Sequence, residues 1–506
     1  MVKKRVGYAV RMILFVLIAA FLWKAVEYVV HKPKDARWYS DGLTNIYKEK
    51  DYYDVLIAGT SIAIANTNSA ELYHEYGIAS TSIGAPQQST CLSYYAIEET
   101  LKYQKPEVLL FDVKSLFYSK ERISDAIRRD ENTYLHFTLD DIKSIKTRYK
   151  AFLAVKEEFY PEINFWEYFC DMYYGHSYWE SITEEEFTHE LPKEYLGGNR
   201  LLLTITPKER KKEVYDVENS GQKAVIPACN KKYLIKIIEL CKEKDIDLVL
   251  LWGNGLIEWK WAQYNAVREI ADEYGIPYLD INLLEKQIGI DWTTDNADNV
   301  HMNLSGARKW MGYVGDYLKS NYDLPDCRLD ENYEEFEKNE ERYLQMVKAM
   351  EVKKDFAAAE DFKQYMQTIL SLDKEGYAIF MAGSDDMTNQ LDAEGRDVLQ
   401  QLGITKNLEG KFRYSFLAVI DDGEVVTQKL SRKKVSAEAG LNNGKKYQLY
   451  SGGQMSGVDA SLIIDETEWM KDGRGINIVV YDKEADEVLS SVYFDTCAEP
   501  NPAPKK

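Results

Sequence analysis

No two of the six cysteines (Cys91, Cys170, Cys229, Cys241, Cys327 and Cys497) stand in a C-x-x-C pair. A structural zinc site draws its thiolates from such close pairs, so neither a metal nor another cofactor is expected. An even number of cysteines permits disulfides in an exported chain, and free, buried thiols are the default reading. A basic excess is missing too: 63 Lys and Arg stand against 83 Asp and Glu, a formal net charge of −20. Nucleic acid is excluded as a partner, because phosphate binding needs a basic face to displace counterions. Also missing is a small-x-small cleavage site after the first apolar run, "MILFVLIAAFLW" (12–23).

That run is short for a membrane span of ~20 residues. It continues, however, as "KAVEYVV" (24–30), where Lys24 and Glu27 can pair at i, i+3, and Arg11 can snorkel to the headgroups. A cleaved signal peptide is the rival reading, and the absent cleavage site favours an uncleaved signal anchor. Lys3, Lys4, Arg5 and Arg11 precede the run. They imply a single pass in the cell membrane, with the amino terminus cytoplasmic and the bulk of the chain extracytoplasmic.

A chain of 506 residues is too long for one core. Short apolar segments, "DVLIAG" (54–59), "STSIGAP" (80–86), "PEVLLFDV" (106–113), "DLVLLWG" (247–253) and "IPYLDIN" (276–282), alternate with helical patterns such as "KKYLIKIIELCKEKDI" (231–246). Continuous apolar strands between helices predict an α/β fold, a doubly wound parallel sheet with flanking helices. The expected division is an anchor at 1–31, the α/β domain at 32–325 with an insertion at about 118–228, and a charged helical connector at 326–370. A smaller β-rich α+β domain follows at 371–497, and a Pro-rich tail at 498–506 is expected to be disordered. The insertion holds ten aromatic residues within 159–180, which read either as the core of a helical subdomain or as a wall that stacks on sugar or acyl groups.

Ligands of such sheets bind beyond the carboxyl ends of the strands. Three features fall there: Ser61 after the first strand, Gly84 after the second, and Asp298 three residues before His301 in "DNVHMNLSGARKW" (298–310). A serine hydroxyl becomes nucleophilic when an imidazole accepts its proton, and a carboxylate fixes the tautomer of that imidazole. The oxyanion formed on attack needs preset donors, which the N–H groups of Ser61 and Gly84 can supply. Taken alone, Ser61 reads as a helix N-cap. The order of the three features is what points to a nucleophile, base and acid.

This order resembles the SGNH family, the GDSL-like lipases and acylhydrolases. "IAGTSIA" is similar to the family's first block, with Thr60 where Asp or Ser is usual; "SIGAPQQST" resembles the second, and "DNVHMNLSGARKW" the last. Over residues 50–322 the resemblance implies Ser61 as nucleophile, His301 as base, Asp298 as orienting acid and Gly84 as an oxyanion donor. The family's third block normally adds an oxyanion asparagine; here "LLFDVKSLF" has Asp112 and Lys114 instead. Gln88 is the candidate replacement, with Trp166, His176 and Trp179 as further substrate contacts. Membrane-anchored DltD-like and alginate-acetylation proteins depart from the hydrolase pattern in a similar way. The resemblance to that branch implies a membrane-bound O-acyltransferase as a partner.

"GYAIFMAGSDDMTNQLDAEGRDVLQQLG" (376–403) and "GRGINIVVYDKEADEVLSSVYFDT" (473–496) resemble the ILEI/PANDER domain, in permuted order, which implies a glycan-binding accessory role. The expectation is therefore an esterase or O-acyltransferase acting on acyl, above all acetyl, esters of cell-envelope or secreted polysaccharide. The alternative is a catalytically inactive glycan-binding or assembly factor.

Overall fold

The computed structural model describes residues 2–30, 42–128, 134–170, 173, 194–208, 218–253 and 259–505. The chain divides into two compact units, Met1–Glu340 and Glu341–Lys506.

The first unit begins with the helix Val2–Val30, whose stretch Val10–Val29 is long and apolar enough to cross a membrane. The same length and composition suit a signal sequence. Lys24 and Glu27 pair on it. Beyond it, the strands β1 (Val55–Ala58), β2 (Ser80–Ser82), β3 (Val108–Asp112), β6 (Asp247–Trp252) and β7 (Tyr278–Asp280) form a parallel sheet in the order β2-β1-β3-β6-β7. Among the described residues, the strands between β3 and β6 are the small hairpin of β4 (Tyr195–Leu196) and β5 (Asn199–Arg200).

Register explains why the central strands β1, β3 and β6 read as apolar runs. Leu56, Leu109 and Leu248 align on one face, with Ala58, Phe111 and Leu250 beside them. They pack against the helices Thr90–Thr100, Ile145–Glu158 and Ala228–Lys244 through residues such as Leu92, Phe152 and Ile237. Ile57, Leu110 and Val249 face the other way, toward Ser69–Tyr76 and Leu304–Asn321, where Leu72, Trp310 and Val314 wait. With both faces covered, every residue of β1 is fully buried. Each large apolar side chain so buried stabilises the fold by about 1.5–3 kcal/mol over its exposed state.

In the insertion, the described residues form the helices Lys120–Arg128, Tyr134–Leu139, Ile145–Glu158 and Phe165–Phe169. Part of its aromatic content is core: Phe159 and Tyr168 are buried, and Phe152 meets Phe165 and Phe169 edge-on. All six cysteines are free thiols, and burial pushes those of Cys91 and Cys241 up to about 12.

In the second unit, β8 (Tyr377–Ser384), β9 (Ser415–Asp421), β10 (Glu424–Ser431), β15 (Gly475–Asp482) and β16 (Glu487–Phe494) form an antiparallel sheet ordered β10-β9-β8-β15-β16. A second antiparallel sheet holds β11 (Val435–Gly440), β12 (Lys446–Gly452), β13 (Asp459–Ile464) and β14 (Thr467–Glu468). Phe380, Leu417 and Val479 of the first pack on Tyr447, Leu449 and Leu462 of the second.

The region 326–370 contains the helices Glu334–Ala358 and Phe362–Ser371, and the second of these packs Phe362 and Tyr365 onto Phe494 of β16. One expectation needs correction. The Pro-rich tail is ordered, because Lys505 exchanges two backbone hydrogen bonds with Tyr493, and the N–H of Phe362 donates to the carbonyl of Pro502. Proline removes its own donor, but its neighbours still pair at a sheet edge.

Candidate active site

The carboxyl end of β1 turns sharply into the short helix Ser61–Ala65. Gly59 makes the turn at φ 149°, where a side chain is strained, and a Cβ there would lie 2.5 Å from the Cβ of Asp112. Of the two adjacent hydroxyls, Thr60 is the N-cap: its Oγ1 accepts from the N–H of Ile62 at 3.2 Å. Thr60 in turn donates to Asp112 Oδ2 through its N–H (3.1 Å) and its hydroxyl (2.6 Å). Burial pushes the Asp112 carboxyl above its usual range, although these two donors and the N–H of Lys114 favour its ionised form. The residue at the end of β3, where the SGNH pattern has an oxyanion asparagine nearby, is thus spent on holding the turn.

Since Thr60 caps the helix, the Ser61 hydroxyl is released from that duty. Its Oγ lies 2.8 Å from His301 Nε2, and His301 Nδ1 lies 2.8 Å from Asp298 Oδ2. The other carboxylate oxygen, Oδ1, accepts the N–H groups of Val300 (2.6 Å) and His301 (2.7 Å), a tight local turn that fixes the acid against its own histidine. Burial works to raise the Asp298 pKa; the hydrogen bond and charge of His301 and these two N–H donors outweigh it and hold the carboxyl at about 2. A carboxylate at Nδ1 dictates the tautomer with its proton on Nδ1, which leaves Nε2 free to accept from the serine.

Gly84 reaches the same turn: a Cβ on it would sit 3.0 Å from the carbonyl oxygen of Thr60 and 3.0 Å from Ala63 Cβ. Its N–H is directed at Ser82 Oγ over a long 3.4 Å, while that hydroxyl donates to the carbonyl of Ala63 at 2.6 Å. The N–H of Ser61 lies in the first helical turn, where intrahelical acceptors are lacking.

Gln88 is a correction. The residue is 1% exposed, with Oε1 accepting from Thr138 (2.8 Å) and Nε2 donating to Ser93 (3.0 Å), so its amide is already paired within the fold and braces the loop. Trp166 is 61% exposed and packs edge-on against Phe165 within the insertion. His176 and Trp179 lie outside the described residues.

Several supporting residues had no signal in the sequence. Asn199 is fully buried and donates to the carbonyls of Ala63 (3.2 Å) and Ile64 (3.1 Å) and to Thr67 Oγ1 (2.8 Å), while its Oδ1 accepts the N–H of Ser69 (2.8 Å). The chain following it braces the histidine loop, Leu202 accepting from the N–H of Leu304 and Thr206 bonding Asn296 and Ala297. The returning end of the insertion thereby steadies both halves of the site. At the end of β7, Asp280 is buried and accepts from Trp259 Nε1 (2.7 Å), Tyr278 Oη (3.1 Å), and the N–H (2.9 Å) and Nδ2 (2.7 Å) of Asn282. Burial dominates there and raises the carboxyl to about 6 despite the four donors. Among the described residues no cluster of His, Cys, Asp and Glu has the makings of a metal site.

No model of a known protein family matches the chain, and no curated protein matches it either.

Proposed function

We propose that the chain is a membrane-anchored, extracytoplasmic serine esterase or O-acyltransferase of SGNH type. The supporting observation is the unbroken chain Ser61 Oγ–His301 Nε2, His301 Nδ1–Asp298 Oδ2, with both links at 2.8 Å, at the carboxyl end of a parallel sheet. In this reading, His301 Nε2 takes the Ser61 proton as Oγ attacks the ester carbonyl, and Asp298 steadies the imidazolium. The N–H of Ser61 meets the oxyanion, joined by that of Gly84 once it leaves Ser82. His301 then passes its proton to the departing alcohol. Water or a sugar hydroxyl, activated by the same imidazole, releases the acyl group from Ser61, giving hydrolysis or transfer respectively.

The substrate class is an acyl, above all acetyl, ester of an envelope or secreted polysaccharide, with a membrane-bound O-acyltransferase as partner. The second unit serves as an ILEI/PANDER-like glycan-binding accessory. One observation favours the non-catalytic alternative: Asp112 closes β3 without an oxyanion donor, and the Gly84 N–H is turned to Ser82. Loss of one such donor costs about 3–4 kcal/mol in the transition state. The test is acetate release from an acetylated polysaccharide by the full-length protein in detergent. Release that disappears in Ser61→Ala and His301→Ala supports an enzyme; binding of the polymer with no release, from acetylated xylan and p-nitrophenyl acetate alike, supports the binding factor.

A further inference from the structure

Asn66 follows the helix that starts with Ser61 and is fully buried. Its backbone N–H closes that helix on the carbonyl of Ile62 at 2.9 Å. Its side chain works in two directions. Oδ1 accepts the N–H of Met302, the residue after His301, at 3.0 Å, and Nδ2 donates to the carbonyl of Gly253, just beyond β6, at 2.7 Å. A neutral donor and acceptor on one short side chain is a property of asparagine; glutamine adds a methylene that a closed site must accommodate.

The two links of the Ser–His–Asp chain differ in what maintains them. Asp298 and His301 sit three residues apart on one loop, which is also tied to itself, the N–H of Ala297 donating to the carbonyl of His301 at 3.0 Å. That link survives if the loop shifts as a body. The Ser61–His301 link joins two elements 240 positions apart, so it depends on how the loop is set against the helix. Of the bonds that anchor the loop, those of Thr206 and Leu202 lead to the insertion, whereas the Asn66 bond leads back to the nucleophile's own helix.

We infer that Asn66 is a positioning residue that sets the distance between Ser61 Oγ and His301 Nε2. The inference rests on the serine–histidine chemistry proposed above. Its effect falls on the rate of acylation and not on substrate binding, because Asn66 is fully buried and offers no surface to a substrate.

The experiment is steady-state hydrolysis of p-nitrophenyl acetate by the full-length protein in detergent, comparing the wild type with Asn66→Ala, Asn66→Asp and Gln104→Ala. Gln104 is the control: also a buried amide, it accepts from the N–H of Tyr52 (2.8 Å) and donates to the carbonyl of Ile46 (2.7 Å) at the opposite end of the sheet. Misplacement of a catalytic group by about 1 Å costs on the order of 10²-fold, so Asn66→Ala is expected to lower kcat by that factor with KM nearly unchanged. Asn66→Asp, which keeps the acceptor for Met302 and the side-chain size, loses about 10-fold, while Gln104→Ala keeps the wild-type kcat. Should Asn66→Ala not fold, Asn66→Asp decides. A kcat for both Asn66 variants equal to that of Gln104→Ala overturns the positioning role and leaves the serine–histidine reading standing. No turnover by the wild type overturns that reading, and this inference with it.

Discussion

Both units bury polar side chains, but to different ends. In the first, the buried Asp112, Asn66 and Asn199, with the half-exposed Asp298, gather at the carboxyl end of the parallel sheet and hold a hydroxyl and an imidazole face to face. In the second, Lys483 Nζ lies 2.5 Å from Asp421 and 2.7 Å from Asp422, and Asn477 returns a bond to Gly473, from which it also accepts one. Those groups are closed on one another by ion pairs and hydrogen bonds, with no hydroxyl or imidazole among them. Buried polar clusters alone therefore do not mark a site; a weak nucleophile aligned with an oriented base does.

The sharpest way to break this contrast is to remove orientation without removing bulk. Asp298→Asn leaves the loop in place but withdraws the carboxylate that fixes the tautomer, and turnover of p-nitrophenyl acetate should fall by about 10⁴-fold. In the wild type, Asp298 is held at about 2, below its unfolded value. Its stabilising charge is complete above the ordinary carboxylate range and fades only as pH falls toward 2, so the acid limb of a pH–rate profile should not carry its titration. A profile whose acid limb moves with Asp298 substitution near pH 4 would contradict this.

In the second unit, Lys483→Met leaves two carboxylates facing each other without their cation. Such a loss costs about 3–5 kcal/mol. Urea unfolding should show this in the second unit, with the rate at Ser61 unchanged where both units are folded; a matching fall in kcat would place the second unit in the chemistry.

The smallest effect belongs to Asp280, a buried acid in the first unit that lies near the site's end of the sheet and takes no part in the network. Its carboxyl is raised from 3.8 to about 6, so the fold keeps a proton that the unfolded chain releases. Its own contribution to stability should be greatest below pH ~4 and decline by about 3 kcal/mol as pH rises to ~6. In Asp280→Asn that part of the slope should vanish, as read by unfolding at pH 4 and pH 7.

How much of this was legible follows from the range of each signal. The central strands β1, β3 and β6 stand out because double burial makes each a nearly continuous apolar run, whereas β2, Ser80–Ser82, is polar and is marked only by its place before Ile83 and Gly84; Asp298–His301 stands out because both residues share one loop. Ser61 was ambiguous: it neighbours Thr60, and only the backbone at the turn decides which hydroxyl caps the helix. Asn66 and Asn199 had no signature, since their partners lie up to 236 positions away and are chosen by packing. Gln88 misled for the same reason, its amide being claimed by Thr138, which lies 50 positions on. The ordered tail was hidden because its prolines, which do forbid a central strand, leave Lys505 free to pair with Tyr493.

The central claim is that Ser61 is a nucleophile activated by His301. Incubation of the full-length protein with a fluorophosphonate, followed by peptide mapping, tests it directly. A covalent adduct on Ser61, absent in Ser61→Ala and formed far more slowly in His301→Ala, is the predicted result. A folded wild-type protein that stays unmodified, or that carries the adduct elsewhere with Ser61 untouched, would contradict it.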